Sequence, residues 1–326
     1  MSEKNSIPDP TAALRLWEKG QILCPACRKN IALEHVQPLQ LMPCTNCKEM
    51  LFVPKKVGNY FLYEPAGGGG MGSVYKAVSA LFPDDILAVK VLSCAARENP
   101  ADIHALLNEA RVSSFFINSD YIVACLDSGF ADDEYFTVMP FVEGERLDRR
   151  IERMHQLPEK EALLMGLHLL AAEQHIYHMG YLYRDMKPEN VILNQYGYAV
   201  LLDFGLCIPR HEAANSDEEF VSGSPYYLPP ERLLGQGETA CSEIYSLGMV
   251  LYHALTGHTF YNADEMQALV RRHISGLRIN STAKMQGLRT SVGILLDAMV
   301  RQEPKERPQD FVYVADSIKA IIQEIG

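Results

Sequence analysis

No stretch of this 326-residue chain approaches the roughly 18–20 apolar residues that a membrane-spanning helix needs. The longest mostly apolar run, Ile244 to Leu255, has the length of a buried core helix. The opening residues, Met1 to Pro10, lack the apolar segment of a secretory signal, so a cytoplasmic location without a membrane partner is expected. A basic surplus is also missing. The formal net charge is −11, which argues against a nucleic-acid partner, because neutralising phosphates needs a basic surface. Internal repeats and low-complexity tracts are absent. With 48% hydrophobic and 22% charged residues, the composition is that of an ordinary globular chain rather than a disordered one.

What is present is unevenly distributed. Residues 1–57 carry 8 Lys+Arg against 5 Asp+Glu, and the remainder carries 22 against 36, so a slightly basic head precedes an acidic body. The eight cysteines also fall into two groups. Cys94, Cys125, Cys207 and Cys241 stand singly and read as reduced, buried small hydrophobes. Cys24, Cys27, Cys44 and Cys47 form two Cys-x-x-Cys knuckles sixteen residues apart, the spacing of a four-cysteine zinc ribbon. Soft thiolates suit Zn2+, and so short a module cannot bury an adequate core without metal. Such ribbons bind protein, nucleic acid or nothing; a purely structural cap is the favoured reading, with a docking or regulatory role for a protein partner as the alternative.

Hydrophobic periodicity divides the chain further. A polar tail and short helix (1–20, helical over Thr11–Lys19) lead into the cysteine module (21–56), with Pro54–Gly58 as a brief linker. Strands are expected at Asn59–Glu64, Ser73–Ser79, Asp85–Leu92, Ile122–Asp127 and Tyr135–Phe141, with one helix over Ala101–Phe116. Past Glu143 the pattern is helical, at Glu159–Met179, Ser242–Thr256, Ala263–Ile274, Ser291–Arg301 and Phe311–Ile325. A β-rich portion (59–142) before a helical one (143–326) predicts an α+β, two-lobed domain with a ligand cleft.

Gly67-Gly68-Gly69-Gly70-Met71-Gly72-Ser73-Val74 contains G-x-G-x-x-G-x-V. A dinucleotide fold would follow these glycines with a helix, but here an alternating strand follows, which places them at a hairpin tip. Glycines there let backbone N–H groups approach phosphate oxygens. Lys90, in Leu87-Ala88-Val89-Lys90, sits on the next strand, and Glu109 lies nineteen residues on within the expected helix.

Tyr183-Arg184-Asp185-Met186-Lys187-Pro188-Glu189-Asn190 resembles the catalytic loop of eukaryotic-type Ser/Thr protein kinases, and Asp203-Phe204-Gly205 their metal-binding motif. Gly223 to Glu231 resembles the end of their activation segment, and Arg307 the arginine that pairs with its terminal Glu231. The likeness covers about residues 60–325, and the glycine loop and Ile244–Gly248 look most like the bacterial branch. It implies a bilobal kinase fold that uses ATP with Mg2+, or Mn2+ in its place, to phosphorylate Ser/Thr hydroxyls of protein substrates. It also implies roles. Asp185 would be the base, Lys187 the γ-phosphate neutraliser, and Asn190 and Asp203 the metal ligands. Lys90, ordered by Glu109, would hold the α- and β-phosphates. Ala66, Gly67, Gly68, Gly69, Gly70, Met71, Gly72, Ser73 and Val74 would cover the nucleotide, and Ala88, Met139, Val142 and Ile192 would complete the adenine pocket.

Regulation is read from the same likeness. Arg184, directly before the base, implies a phosphorylated loop that pairs with it, with Ser216 or Ser222 as the autophosphorylated residue and the loop acids Asp217, Glu218 and Glu219 supplying part of the negative charge near Arg184. Ser224 stands where a hydroxyl bonds base and lysine. Three positions depart from the pattern: Tyr183 replaces His, Pro230 replaces Ala, and Glu243 replaces the Asp that bonds catalytic-loop backbone. A kinase-like scaffold that binds nucleotide without turnover is the alternative, and retention of Lys90, Glu109, Asp185, Asn190 and Asp203 argues against it.

Overall fold

The computed structural model describes residues 9–69, 72–214, 223–263, 265–274, 284–285 and 287–325. The chain divides into two compact units, residues 1–111 with 124–141 and residues 112–123 with 142–326.

The first unit opens with α1 (Pro10–Trp17), whose N-terminus is capped by the Asp9 carboxylate accepting from Thr11 N–H. Two small hairpins follow, β1 (Gln21–Leu23) with β2 (Asn30–Ala32), and β3 (Leu41–Pro43) with β4 (Met50–Phe52). Then comes a six-stranded antiparallel sheet. It uses β5 (Lys55–Val57), β6 (Tyr60–Gly69), β7 (Gly72–Ser79), β8 (Phe82–Leu92), β9 (Asp127–Ala131) and β10 (Glu134–Pro140), in the order 5-6-7-8-10-9. The helix α2 (Pro100–Ser113) follows β8. Val57, Leu62, Val89 and Val138 form the middle of the sheet's core, and Leu39 and Phe52 from the cysteine module pack against it. Phe52 stacks on Tyr75 and Trp17 tilts against Phe61, each with ring centroids 5.6 Å apart.

Two expectations change here. The segment read as a linker is the edge strand β5, paired Lys55↔Leu62 and Val57↔Tyr60, with Val57 fully buried. Gly58, at φ +57, makes the tight turn into β6, and only one of the three strand residues points inward, so the sequence looks polar. The strand expected at Ile122–Asp127 is instead irregular chain, buried over Ile122–Cys125: Ile122 forms one isolated bridge to Leu201, and the next strand begins at Asp127. Cys125, Cys207 and Cys241 are buried as expected, whereas Cys94 is exposed and accepts from Arg97 Nη2 at 2.9 Å.

The second unit contains β11 (Gly144–Arg146), α3 (Leu147–Met154), α4 (Glu159–His178), β12 (Tyr181–Leu182), β13 (Val191–Asn194), β14 (Ala199–Leu201) and β15 (Ile208–Pro209). The helices α5 (Arg210–Ala213), α6 (Pro230–Leu233), α7 (Ala240–Thr256), α8 (Met266–Ile274), α9 (Thr290–Met299) and α10 (Phe311–Ile325) complete it. Strands β11, β13 and β14 form one small sheet and β12 and β15 another, and neither was expected from periodicity. Helices α4, α7, α9 and α10 supply the main core, through residues such as Leu169, Leu247, Leu296 and Ile318. A reciprocal capping box between Thr239 and Ser242 starts α7. Gly257 ends it at φ +73, where a Cβ would come within 2.0 Å of the His155 carbonyl oxygen, so only glycine fits. Among the described residues, no helix is long and apolar enough to cross a membrane.

Candidate active site

In the first unit the glycine run occupies the end of the β6–β7 hairpin, with Gly67↔Val74, Gly68↔Ser73 and Gly69↔Gly72 facing each other and Ala66 beside them. Gly70 and Met71 lie outside the described residues. At Gly72 a Cβ would stand 2.3 Å from the Val91 carbonyl oxygen, so the close packing of β7 on β8 itself requires glycine. Val74 is registered opposite Lys90, whose Nζ donates to Glu109 Oε2 on α2 at 2.7 Å. Met139 faces Ala88 across β10 and β8.

In the second unit Val142 precedes β11, and Ile192 lies on β13 opposite Arg146 and Val200. The loop after β12 gathers three expected residues. Lys187 Nζ donates to Asp185 Oδ2 at 2.6 Å, and Asn190 Nδ2 donates to the same oxygen at 2.8 Å and to the Asp185 carbonyl at 3.0 Å. Burial raises the Asp185 carboxyl above its ordinary range, against the opposing pull of Lys187 and Asn190, and the nearby Asp203 charge adds to the rise. Asp203 has φ +58, and its Oδ1 accepts from Gly205 N–H at 3.1 Å. Phe204 is buried between Tyr183 and Phe116, with centroids 5.4 Å from each. Tyr183 also donates its hydroxyl to the Leu202 carbonyl, so this departure from the expected His anchors the segment leading to Asp203.

Behind the loop, Glu243 accepts from Arg184 N–H through both oxygens, at 3.1 and 3.3 Å, which the longer side chain manages from the first turn of α7. Beside it is a residue the sequence did not single out, Glu173 of α4, which is 1% exposed. Neither of its oxygens has a donor among the described residues, and the carboxylate that faces it is Glu243. Burial, followed by the Glu243 charge, raises Glu173 well above the ordinary range, which favours its protonated form. A glutamate raised in this way keeps its proton to a higher pH in the folded protein than in the unfolded chain. That contribution is full in acid and is lost as pH rises, at up to about 1.4 kcal/mol per pH unit. Glu173→Gln, which copies the protonated form, is expected to remove this slope. Urea unfolding should show the variant gaining on wild type between pH 5 and 8, and parallel curves would rule out a retained proton.

Two further charged residues were missed, the buried Glu238 and Arg232. Glu238, with its side chain fully buried, accepts from Arg184 Nε at 2.9 Å and from Arg232 Nε at 2.7 Å. Glutamate in a Gly-Gln-Gly-Glu loop reads as solvated surface, and no periodicity marks it as buried. The expected partners Glu231 and Arg307 form a two-pronged buried ion pair at 2.7 and 2.9 Å. Ser242 Oγ donates to Glu231, and Arg307 also donates to the Cys241 carbonyl, which offsets the cost of burying both charges. Ser224 accepts from Tyr227 N–H through its carbonyl, and among the described residues its hydroxyl bonds neither Asp185 nor Lys187. Ser216 and Ser222 lie outside the described residues.

The four clustered cysteines come together. Their Sγ atoms all lie within 4.8 Å of one another, with Cys24–Cys47 at 3.6 Å and Cys27–Cys44 at 3.8 Å, so the set can hold one metal ion. The two knuckles repeat one geometry: Arg28 N–H donates to the Cys24 carbonyl and Lys48 N–H to the Cys44 carbonyl, with both residues at positive φ.

Comparison with known proteins gives a consistent picture. The family profile described as "Protein kinase domain" matches residues 60–320. "Serine/threonine-protein kinase PknK" of Mycobacterium tuberculosis (strain ATCC 25618 / H37Rv) is 32% identical over 271 residues, covering 81% of this chain and 24% of that protein. "Serine/threonine-protein kinase PrkC" of Bacillus subtilis (strain 168) is 31% identical over 225 residues, 69% of this chain and 34% of that protein. "Serine/threonine-protein kinase PknH" of Mycobacterium bovis (strain ATCC BAA-935 / AF2122/97) is 29% identical over 258 residues, 78% and 41% respectively. The chain thus spans between 24% and 41% of the length of these relatives.

Proposed function

Because the chain belongs to the protein kinase family, we propose that it transfers the γ-phosphoryl group of ATP to Ser/Thr hydroxyls of protein substrates. The observation that carries this reading is the set around Asp185, whose carboxylate is aligned by Lys187 and Asn190 within one loop. Its raised pKa suits a base that must take a hydroxyl proton near neutral pH. Asn190 and Asp203 offer the hard oxygen ligands that Mg2+ prefers, and the ion would neutralise phosphate charge as the γ-phosphoryl leaves. Lys90, held by Glu109, would fix the α- and β-phosphates, and the glycine hairpin would cover them. The adenine roles of Val74, Ala88, Met139, Val142 and Ile192 belong to the same proposal.

The metal of the cysteine cluster is assigned as zinc. With Zn–S bonds of about 2.3 Å, the edge of a tetrahedron is about 3.8 Å; the Cys24–Cys47 and Cys27–Cys44 separations of 3.6 and 3.8 Å agree with it, and all four Sγ atoms lie within 4.8 Å of one another. Thiolate ligation needs reduced sulfur, which suits a cytoplasmic setting. The module serves as a structural cap on the sheet, an assignment supported by the packing of Phe52 and Leu39.

Incubating the full chain with radiolabelled Mg-ATP, with itself and a generic basic protein as acceptors, tests the activity. Phosphoserine or phosphothreonine is expected, with transfer lowered about 10²-fold in Lys90→Met, comparable to removal of one preorganised charge contact. Absence of label from wild type would refute the enzymatic reading and leave a nucleotide-binding scaffold.

A further inference from the structure

We propose that Glu238 is a positioning residue: it meets the charge of Arg184 from inside the fold, so the loop bearing Asp185 holds its working conformation without a phosphate on residues 215–222. The inference rests on the kinase reading and names how that site is set.

Arg184 is the residue immediately before Asp185 and has φ +70, a left-handed conformation uncommon for side-chain-bearing residues. Among the described residues, three contacts hold it there. Glu243 takes the Arg184 N–H, Arg232 Nη1 donates to the Arg184 carbonyl, and Glu238 takes the side-chain Nε. Glu238 links two of these, because its second oxygen holds Arg232 Nε at 2.7 Å and so aims Arg232 at the Arg184 carbonyl. The Arg184 side chain is 6% exposed, and Arg232 and Glu238 are 4% and 0% exposed, so the charges meet with little water to screen them.

The main chain around Glu238 is fixed as well. Its N–H donates to the Ala213 carbonyl at 2.9 Å. At Gly237 a Cβ would stand 2.4 Å from the Ala214 carbonyl oxygen, so the loop lies directly on residues 213–214. A carboxylate is thereby installed where an arginine ahead of the base calls for an anion. A phosphoryl group on a loop serine supplies charge only after modification, whereas Glu238 supplies it in the chain as synthesised.

The test uses the full chain. Ser216→Ala/Ser222→Ala, treated with phosphatase and shown by intact mass to carry no phosphate, is assayed for its initial rate on a protein substrate. It is expected to keep kcat within about threefold of wild type; a loss of about tenfold or more overturns the proposal. Glu238→Gln, checked for a cooperative melt, is expected to lose at least about tenfold in kcat with KM for ATP nearly unchanged, since a misaimed base costs the chemical step rather than nucleotide binding. Glu238→Asp should recover part of that loss. Unaltered kcat in a folded Glu238→Gln refutes the proposal, and if that variant fails to fold, the serine double variant decides alone. A silent wild type defeats the kinase reading itself and this inference with it.

Discussion

Asp185→Asn is expected to lower phosphoryl transfer by about 10³-fold while leaving ATP binding within a few-fold of wild type. The substitution keeps nearly the same shape and leaves one side-chain oxygen able to accept from Lys187 or Asn190, which hold the carboxylate at 2.6 and 2.8 Å. What it removes is basicity. An amide cannot take the proton of an incoming hydroxyl, and it no longer offsets the Lys187 ammonium. Because burial raises the Asp185 carboxyl in the folded chain, neutralising it should not reduce stability, so the melting temperature should stay close to wild type or rise slightly. Quench-flow or radiolabel transfer measures the rate, and a fluorescent nucleotide measures binding. Equal transfer by both proteins would remove Asp185 from the role of base. Loss of nucleotide binding in parallel with rate would make it a binding group instead.

How much of this site could be read from the chain depends on how local each piece of chemistry is. Asp185, Lys187 and Asn190 sit within six residues because one loop must present them together, and Asp203 follows after a single short hairpin, so spacing alone identifies them. The cysteine knuckles are legible for the same reason. Periodicity predicts the helix Phe311–Ile325 with the bounds it has in the fold. Residues whose importance comes from distant burial were not legible. Glu173 lies on a long helix among His and Gln, Arg232 follows the recognised Glu231, and Glu238 lies in a glycine loop. Each looks like a solvated charge until the fold removes its water. Likewise β5 shows two lysines and one valine. It joins the sheet by pairing with β6, and the contacts that tie it to the rest of the unit, Lys55 to Glu134 at 2.7 Å and Gly58 N–H to Asp132, reach partners more than seventy residues away.

Stripping the metal from the cysteine cluster should have the largest effect on stability of any change considered. Structural zinc sites contribute on the order of 10 kcal/mol of apparent binding free energy, and a module of this size has little else to hold it. Its own core is Ile22, Ile31 and Leu51 around two of the thiols, so the ligands are themselves much of the packing. Once the knuckles open, Phe52 leaves Tyr75 and Leu39 leaves the sheet core, and the neighbouring edge strand β5 loses support along one side. The single tryptophan is a built-in probe of this event, because Trp17 rests against Phe61 with centroids 5.6 Å apart. Chelation is therefore expected to shift Trp17 emission to the red and to lower the melting temperature by on the order of 10 °C, as several kcal/mol would do in a protein of this size. Readdition of Zn2+ should reverse both. Cys24→Ser, which removes a buried ligand, should reproduce the chelated state without chelator. Native mass spectrometry that finds no metal on the wild-type chain, together with a melting curve unmoved by chelator, would show that the four thiols hold the module together by some means other than an ion.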